Sequence, residues 1–238
     1  MTEKFRSGYA THVGNVRDHN EDNYRVQPEL GLWIVADGMG GHESGEVASA
    51  MTVELVSESV EAGKSLTESL AAAHEAVMHA ADSDLGKSGM GSTVVVLRIA
   101  GDRYEIAWVG DSRVYLLSRR NGFKQLTRDH SYVQLLIDNE LISPEDAKNH
   151  PMSHVVNQAI GSSPNGTVTV DTVGGTIEAG DRFLLCTDGL TNELSDAGIT
   201  EVLRHEKDYQ IAAEKLIDQA LAAGGADNVT VVIVEILA

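Results

Sequence analysis

Four apolar segments in this chain each border an aspartate. In three of them the segment runs into the aspartate, as residues 32–36 run into Asp37, and in the fourth the aspartate precedes the segment. The four residues are Asp37, Asp111, Asp188 and Asp227. Short apolar runs that are rich in β-branched residues and bounded by glycine are typical of buried strands. We therefore expect carboxylates gathered at strand ends, where they raise each other's pKa unless divalent cations neutralise them.

The length and composition fit one globular domain, which we take as residues 1–238. A chain of 238 residues buries a substantial core, and 42% of its residues are hydrophobic while 23% are charged. The one cysteine, Cys186, excludes a disulfide framework, and its apolar surroundings predict a small buried side chain. The N-terminus has no hydrophobic signal region, and no window approaches the roughly 20 apolar residues of a membrane span. We therefore expect a cytoplasmic protein.

The net charge narrows the choice of partner. With 36 acidic and 18 basic residues, the formal net charge is −18. This excess of acid disfavours nucleic acids and anionic membranes as partners. It would also repel a phosphate ester unless the site were locally positive. Two divalent ions would add four positive charges and bring the net charge from −18 to −14, with the gain concentrated at the site.

The order of the predicted elements indicates an α+β fold. Periodicity and turn residues predict, in chain order, strands within residues 6–36, helices within 42–62 and 66–80, strand-like runs near 91–99, 103–109, 113–118 and 123–127, strands near 167–173 and 182–187, helices near 195–205 and 209–223, and a last strand to the C-terminus. Hairpin-type turns separate the four central runs, which predicts one antiparallel meander. Because the helices come in two pairs, we expect helices on both outer sides of stacked sheets.

A stretch at about 128–163 interrupts this order and is typical of a lid or flap. A short helix is predicted near 132–137, and Ser143 followed by Pro144 predicts a second helix start. A plain connector between the sheets is the alternative, because long loops are often but not always functional.

Several familiar nucleotide and nucleophile motifs are absent from the sequence. Glu43 stands where a dinucleotide-binding turn needs its third glycine, and Ala81 stands where a P-loop needs its first. The sequence also lacks a G-x-S-x-G elbow and the spaced aspartates of a calcium loop. What remains is oxygen chemistry, because carboxylates without paired histidine or cysteine ligands suit Mg²⁺ or Mn²⁺. A nearby arginine, Arg17, is suited to binding phosphate oxygens.

Seven short motifs follow one another along the chain. They are Arg17-x-x-Asn20-Glu21-Asp22, Val35-Ala36-Asp37-Gly38-Met39-Gly40-Gly41-His42, Gly91-Ser92-Thr93, Gly110-Asp111-Ser112-Arg113, Leu126-Thr127-x-Asp129-His130-Ser131, Thr187-Asp188-Gly189-Leu190 and Asp227-Asn228-Val229-Thr230. In this order they resemble the motifs of the metal-dependent protein phosphatases, the PPM family of type 2C, over about residues 8–235. One such motif is weakly specific, whereas seven in order are strongly specific. The resemblance is to compact bacterial members that oppose eukaryotic-type Ser/Thr kinases, some of which regulate type VI secretion.

This resemblance implies a fold and an activity. The fold is a four-layer αββα sandwich, in which two central antiparallel sheets are flanked by helices. The activity is hydrolysis of phosphoserine and phosphothreonine in proteins by direct attack of metal-activated water, without a phosphoenzyme. The expected cofactors are two Mn²⁺ or Mg²⁺ ions, and bacterial members often carry a third. The expected partners are phosphoproteins and a cognate Ser/Thr kinase, not nucleic acid or membrane, and the chain is expected to be a monomer.

The resemblance also implies a set of metal ligands. Asp37 would bridge the two catalytic ions, and Gly38 would contribute its carbonyl oxygen. Glu21 would hold one ion, while Asp188 and Asp227 would hold the other.

Three further roles follow from the same resemblance. Asp22 would orient the metal-bound water, and Arg17 would bind the substrate phosphate. Asp111 together with Asp188 matches the site of the third ion. The 128–163 insert matches the variable flap of the family.

One position departs from the animal members of the family. There a histidine directly follows the Asp-Gly pair and is thought to protonate the leaving group, whereas Met39 stands at that position here, as in bacterial relatives. His42 lies three residues later and is a weak candidate for the same role. We expect Asn228 to brace its turn rather than to touch metal.

Two other functions stay open on the sequence alone. One is a metal-dependent hydrolase of small phosphate esters, because the sequence of a flap does not show whether it selects proteins. The other is a catalytically silent module that binds phosphoproteins, although every carboxylate expected in the site is present.

Overall fold

The computed structural model describes residues 4–40, 44–82, 89–147, 150–162 and 166–237. The strands are β1 (Phe5–His12), β2 (Asp22–Gln27), β3 (Leu32–Met39), β4 (Gly91–Ser92), β5 (Val94–Ala100), β6 (Arg103–Val109), β7 (Arg113–Ser118), β8 (Gly122–Gln125), β9 (Asp171–Thr176), β10 (Arg182–Cys186) and β11 (Val229–Ile236). The helices are α1 (Ser44–Glu61), α2 (Leu66–Ala81), α3 (Tyr132–Asp138), α4 (Pro144–Ala147), α5 (Asp188–Thr191), α6 (Asp196–His205) and α7 (Tyr209–Ala223). None of the described helices is long and apolar enough to cross a membrane.

The strands form two antiparallel sheets. One sheet has the order β1-β11-β10-β7-β8, and the other has the order β2-β3-β5-β6-β9, with the short strand β4 paired to β3. Helices α1 and α2 pack on the outer face of the second sheet, while α5, α6 and α7 pack on the outer face of the first. The predicted four-layer αββα sandwich is therefore confirmed.

Three apolar layers hold the sandwich together, and strand β3 shows how its sequence serves two of them. Leu32 and Ile34 face the α1–α2 pair, whereas Trp33 and Val35 face the opposite sheet. Successive side chains of a strand point to opposite faces, so a strand buried on both faces needs an unbroken apolar run. The same reasoning explains why Cys186 is fully buried at the end of β10.

The predicted single meander is wrong, because its four runs divide between the two sheets. Strands β5 and β6 pair in one sheet, and β7 and β8 pair in the other. The chain crosses between the sheets at Gly110, where φ is +107° and an added Cβ would lie 2.5 Å from the Cβ of Thr93. Only glycine tolerates this conformation against a neighbour so close. The crossing places Asp111 at the boundary between the sheets.

Two other expectations need correction. The strand expected near 167–173 is β9, which begins at Asp171 because its register is set by pairing with β6. Val168 and Val170 precede it and pack against the layer beneath α1 and α2, so their alternation reflects burial without strand pairing. The short helix α5 was not expected from the sequence.

The insert at 128–163 carries the two short helices α3 and α4 in its described part, as predicted. Its first residues are tied to the sheets where the backbone N–H of His130 donates to the Gly110 carbonyl at 2.9 Å. Its far end is tied where Ser92 and Ile160 exchange two backbone hydrogen bonds of 2.9 and 2.8 Å. Both anchors lie on segments that also carry residues of the candidate site.

Candidate metal centre and active site

The strand pairing gathers the predicted carboxylates at one end of both sheets. Asp22 and Asp37 are direct partners across β2 and β3. Asp188 lies two residues after β10, and Asp227 lies two residues before β11. Because these strands pair antiparallel, both residues emerge at the same end of the sheet. Asp111 joins them through Thr93, whose N–H donates to the Asp37 carbonyl at 2.8 Å and whose hydroxyl lies 2.7 Å from the Ser112 hydroxyl.

The gathered carboxylates suppress each other's ionisation. Burial raises the pKa of Asp37 well above its ordinary value, and the nearby charges of Asp22 and Asp188 raise it further. Burial raises the pKa of Asp22 to about 7, although hydrogen bonds from Thr230 and Thr187 partly oppose the rise. Such a group of buried acids costs stability unless cations enter it.

The same effect extends to the other predicted ligands. Burial is the largest cause of the raised pKa of Glu21, Asp111 and Asp188. The charge of Asp188 adds to the rise at Asp111, and the charge of Asp227 adds to the rise at Asp188. The repulsion therefore links ligands that are far apart in the sequence.

Several carboxylate oxygens in this group have no partner. Among the described residues, four buried side-chain nitrogen or oxygen atoms lack a hydrogen bond, and three of them are Glu21 Oε1, Asp22 Oδ1 and Asp188 Oδ1. Buried polar atoms are nearly always satisfied in folded proteins, so unpaired ones need an explanation. Three unpaired anionic oxygens in one cluster fit the ligand preference of hard divalent cations.

The carboxylates do not already have the spacing of a complete metal cage. Within the part of the chain that the structure describes, no three His, Cys, Asp or Glu side chains form a group that could hold a metal ion by themselves. Mg²⁺ retains several waters and takes only one or two carboxylates per ion, so it does not need such a cage. The residues present fit a water-rich magnesium or manganese site.

Close backbone contacts explain the two glycines beside Glu21. A Cβ on Gly38 would lie 2.0 Å from the carbonyl oxygen of Gly45, and one on Gly45 would lie 2.6 Å from Glu21 Oε1. Gly45 lies in the first turn of α1, and its backbone hydrogen bond to Glu21 lowers the pKa of that carboxyl against the effect of burial. The positive end of α1 therefore faces Glu21.

Arg17 lies at the mouth of the cluster and contacts a predicted metal ligand. Its Nη2 donates to Asp227 Oδ2 at 2.8 Å, and 55% of its side chain is exposed. The other carboxylate oxygen of Asp227 accepts the backbone N–H of Asn228 at 2.8 Å. The guanidinium is thus oriented by Asp227 and still accessible to an incoming phosphate.

Asn228 braces the neighbouring loop that carries Arg17 and Glu21, whereas from the sequence we expected it to brace its own turn. Its Nδ2 donates to the carbonyls of Val13 at 2.8 Å and His19 at 2.9 Å. Its Oδ1 accepts the backbone N–H of Glu21 at 2.8 Å. These three bonds fix the Asn228 side chain on that loop.

Sequence reasoning assigned no role to Thr187. The Thr187 hydroxyl donates to Asp22 Oδ2 at 2.9 Å and accepts the backbone N–H of Thr230 at 3.0 Å. The signal in the sequence that could have indicated a role was a polar residue at the end of the apolar run before Asp188. The structure shows that this residue is fully buried.

The ion pair between Arg113 and Asp129 was also not predicted. Arg113 Nε and Nη2 donate to the two oxygens of Asp129 at 2.9 and 2.6 Å, and Gln125 adds a third bond at 3.1 Å. Both charged residues were visible in the motifs, but nothing in the sequence shows that β7 and the start of the insert face each other.

His42 lies outside the described residues.

Comparison with known proteins agrees with this geometry. The family model for protein phosphatase 2C matches residues 12–223. The serine/threonine phosphatase stp of Listeria innocua is 38% identical over 240 residues, which cover 95% of this chain and 94% of that protein.

Solved structures show the same fold. The serine/threonine phosphatase PstP/Ppp of Mycobacterium tuberculosis has a TM-score of 0.90 at 34% identity, covering 99% of this chain and 100% of that one. The catalytic domain of the phosphatase PstP in complex with two manganese ions has a TM-score of 0.86 at 34% identity, covering 99% of both chains. Manganese therefore occurs in a structure that shares this fold and a third of this sequence.

Proposed function

The chain belongs to the protein phosphatase 2C family and is a protein phosphatase, and we propose that it hydrolyses phosphoserine and phosphothreonine in proteins. We place this activity in a single catalytic domain spanning residues 1–238. The observation that carries the proposal is the group of buried and half-buried carboxylates at one end of the two sheets, in which three buried oxygens are unpaired.

We propose for this chain the ligand set that the family resemblance implies. Glu21 and the carbonyl of Gly38 would hold one Mn²⁺ or Mg²⁺ ion, Asp188 and Asp227 would hold the other, and Asp37 would lie between them. This assignment is supported by the pairing of β2 with β3 and of β10 with β11.

We also propose a third ion, which Asp111 and Asp188 would hold. The charge of Asp188 raises the pKa of Asp111, which supports placing both carboxylates at one ion. When bound, the catalytic ions supply a water of lowered pKa and neutralise the charge that develops on the phosphoryl group.

The remaining roles belong to this chain's own side chains. Arg17 binds phosphate oxygens through a guanidinium that Asp227 already orients. Asp22 holds the attacking water for direct displacement, so that no phosphoenzyme forms. We propose further that the protein acts as a monomer in the cytoplasm and opposes a Ser/Thr kinase.

The test measures phosphate release from phosphoserine and phosphothreonine peptides by the purified chain, with Mn²⁺ or with excess EDTA. We expect release with Mn²⁺ and none with EDTA. Asp37→Asn, which keeps the side-chain shape and removes the charge, is the matched inactive control. A folded chain that binds Mn²⁺ but releases no phosphate from these peptides would contradict the proposal. Faster turnover of sugar phosphates would instead support a small-ester hydrolase.

A further inference from the structure

Thr187 occupies a helix N-cap position without capping the helix. It precedes α5 with φ −78° and ψ 168°, yet its side chain makes no capping hydrogen bond. A threonine at this position usually accepts a backbone N–H of the first turn. Here the hydroxyl turns to Asp22, which lies 165 positions away in the sequence.

The proton on this hydroxyl can be assigned from its partners. Thr187 Oγ1 accepts the N–H of Thr230 at 3.0 Å, which identifies Oγ1 as the acceptor in that bond. A hydroxyl has one proton to donate, and the remaining partner is Asp22 Oδ2 at 2.9 Å. Asp22 Oδ2 therefore accepts the proton of the Thr187 hydroxyl.

The other oxygen of Asp22 is left for the reaction. Asp22 Oδ1 is buried and has no hydrogen-bond partner among the described residues. Thr187, the partner of Asp22, is itself held to β11 by the backbone N–H of Thr230, a fully buried residue. A carboxylate held through Oδ2 by Thr187 presents its other oxygen to the cluster.

We propose that Thr187 is a positioning residue that fixes Asp22 so that Oδ1 alone meets the attacking water. This inference rests on the proposed phosphatase function. The hydroxyl acts through Asp22 and touches neither substrate nor metal. Its loss should slow the chemical step without changing how substrate or ions bind.

The test compares Thr187→Val, which removes the hydroxyl and keeps the shape, with Thr187→Ser, which keeps the hydroxyl. Thr52→Val is the matched control, because Thr52 is also fully buried and its hydroxyl bonds only within α1. For each variant we would measure kcat and KM on a phosphothreonine peptide and the Kd of Mn²⁺ by calorimetry.

We expect Thr187→Val to lower kcat by about tenfold or more, since a hydrogen bond to a charged group is lost. KM and the Mn²⁺ Kd should stay within about twofold of the parent. Thr187→Ser should recover most of kcat, and Thr52→Val should match the parent. In an Asp22→Asn background, Thr187→Val should change kcat by less than about twofold, because both residues act through one carboxylate.

Equal losses in the serine and valine variants, or an undiminished effect of Thr187→Val in the Asp22→Asn background, would overturn the inference. If Thr187→Val does not show the parent circular dichroism spectrum, Thr187→Ala enters the same comparison with the same expectations. Parent protein that is inactive with Mn²⁺ counts against the proposed function. Active parent protein with an unchanged Thr187→Val counts against the positioning role alone.

Discussion

Two buried carboxylates near the same end of the sheets are treated in opposite ways. Asp129 is 10% exposed at its side chain, and both of its oxygens accept hydrogen bonds from the guanidinium of Arg113. Asp22 is also buried, but one of its oxygens has no partner among the described residues and the charges that act on it are other carboxylates. The two regions are neighbours, because the charge of Asp129 contributes to the raised pKa of Asp111.

The difference indicates which carboxylate is compensated within the fold and which depends on an added cation. A buried charge is tolerated when it is paired and hydrogen-bonded, and Arg113 meets that need for Asp129 within the fold. The main influences on the pKa values of Asp22 and Asp37 are burial and neighbouring carboxylates, and no basic side chain is among them. We therefore regard the first region as structural and the second as a site completed by added cations.

The largest expected effect comes from Asp37→Asn. Removing the central carboxylate should lower kcat by at least about a thousandfold, because both catalytic ions depend on it. The same change should raise the thermal midpoint of the protein in EDTA, since it relieves repulsion among buried acids. Peptide assays would measure the loss of kcat, and thermal unfolding in EDTA would measure the rise of the midpoint. A rate within a few-fold of the parent would remove Asp37 from the site.

Arg113→Met tests the other region. It leaves Asp129 buried without a cation and should lower the free energy of unfolding by about 3–5 kcal/mol. The double variant Arg113→Met/Asp129→Leu should recover most of that loss, which urea unfolding in EDTA would measure. Arg120→Met is the control, because its ion pair with Glu178 is exposed and should contribute less than about 1 kcal/mol. An equal loss in the single and double variants would show that Asp129 is not compensated by Arg113.

Arg17→Ala should have a smaller effect that separates substrate binding from metal binding. We expect KM for a phosphopeptide to rise by about tenfold, since a charge-assisted contact to phosphate is lost. The affinity for Mn²⁺ should not fall, because the substitution removes a positive charge from Asp227. Kinetics and calorimetry on the same preparation check both points. Weaker Mn²⁺ binding with unchanged KM would reverse the assignment.

A further expected effect is the pH dependence of stability without metal. The ordinary pKa of Asp22 is 3.8 and the folded protein raises it to about 7, so between these values the folded state binds more protons than the unfolded state. Stability in EDTA should therefore be higher near the lower value and fall as pH rises toward 7. The raised pKa values of Asp37, Asp111 and Asp188 act in the same sense as that of Asp22, whereas an exposed acid with a lowered pKa, such as Glu68, acts in the opposite sense.

Saturating Mn²⁺ should weaken or invert this dependence, because metal binds the deprotonated carboxylates. Thermal midpoints across this pH range, with EDTA and with Mn²⁺, would show it. A metal-free protein that gains stability steadily toward pH 7 would contradict the raised pKa of Asp22.

Most of the fold could be predicted because several of its central strands are buried on both faces. The unbroken apolar runs before Asp37 and Asp188 mark β3 and β10, and the four layers follow from paired helices around them. The divided meander could not be predicted, because hairpin turns show local reversal and not the sheet to which a strand belongs. Only the close approach of Gly110 to Thr93 shows where the chain changes sheets.

The candidate site also has a part that the sequence predicted and a part that it did not. Its carboxylates were predicted by their place at strand ends and by motif order, and the structure brings them together. The roles of Thr187 and of the Arg113–Asp129 pair depend on contacts between distant segments, such as the 2.9 Å bond from Thr187 to Asp22. Residue type alone does not show which polar side chain meets which partner across two sheets.

The most direct test of this account is calorimetric titration of Mn²⁺ into the EDTA-treated and dialysed chain, beside Asp37→Asn and Arg17→Ala. We predict at least two ions bound by the parent, retained binding in Arg17→Ala, and the loss of this binding in Asp37→Asn. Mn²⁺ binding that is absent from the folded parent, or unchanged in Asp37→Asn, would contradict the claim that the unpaired carboxylates form the metal centre.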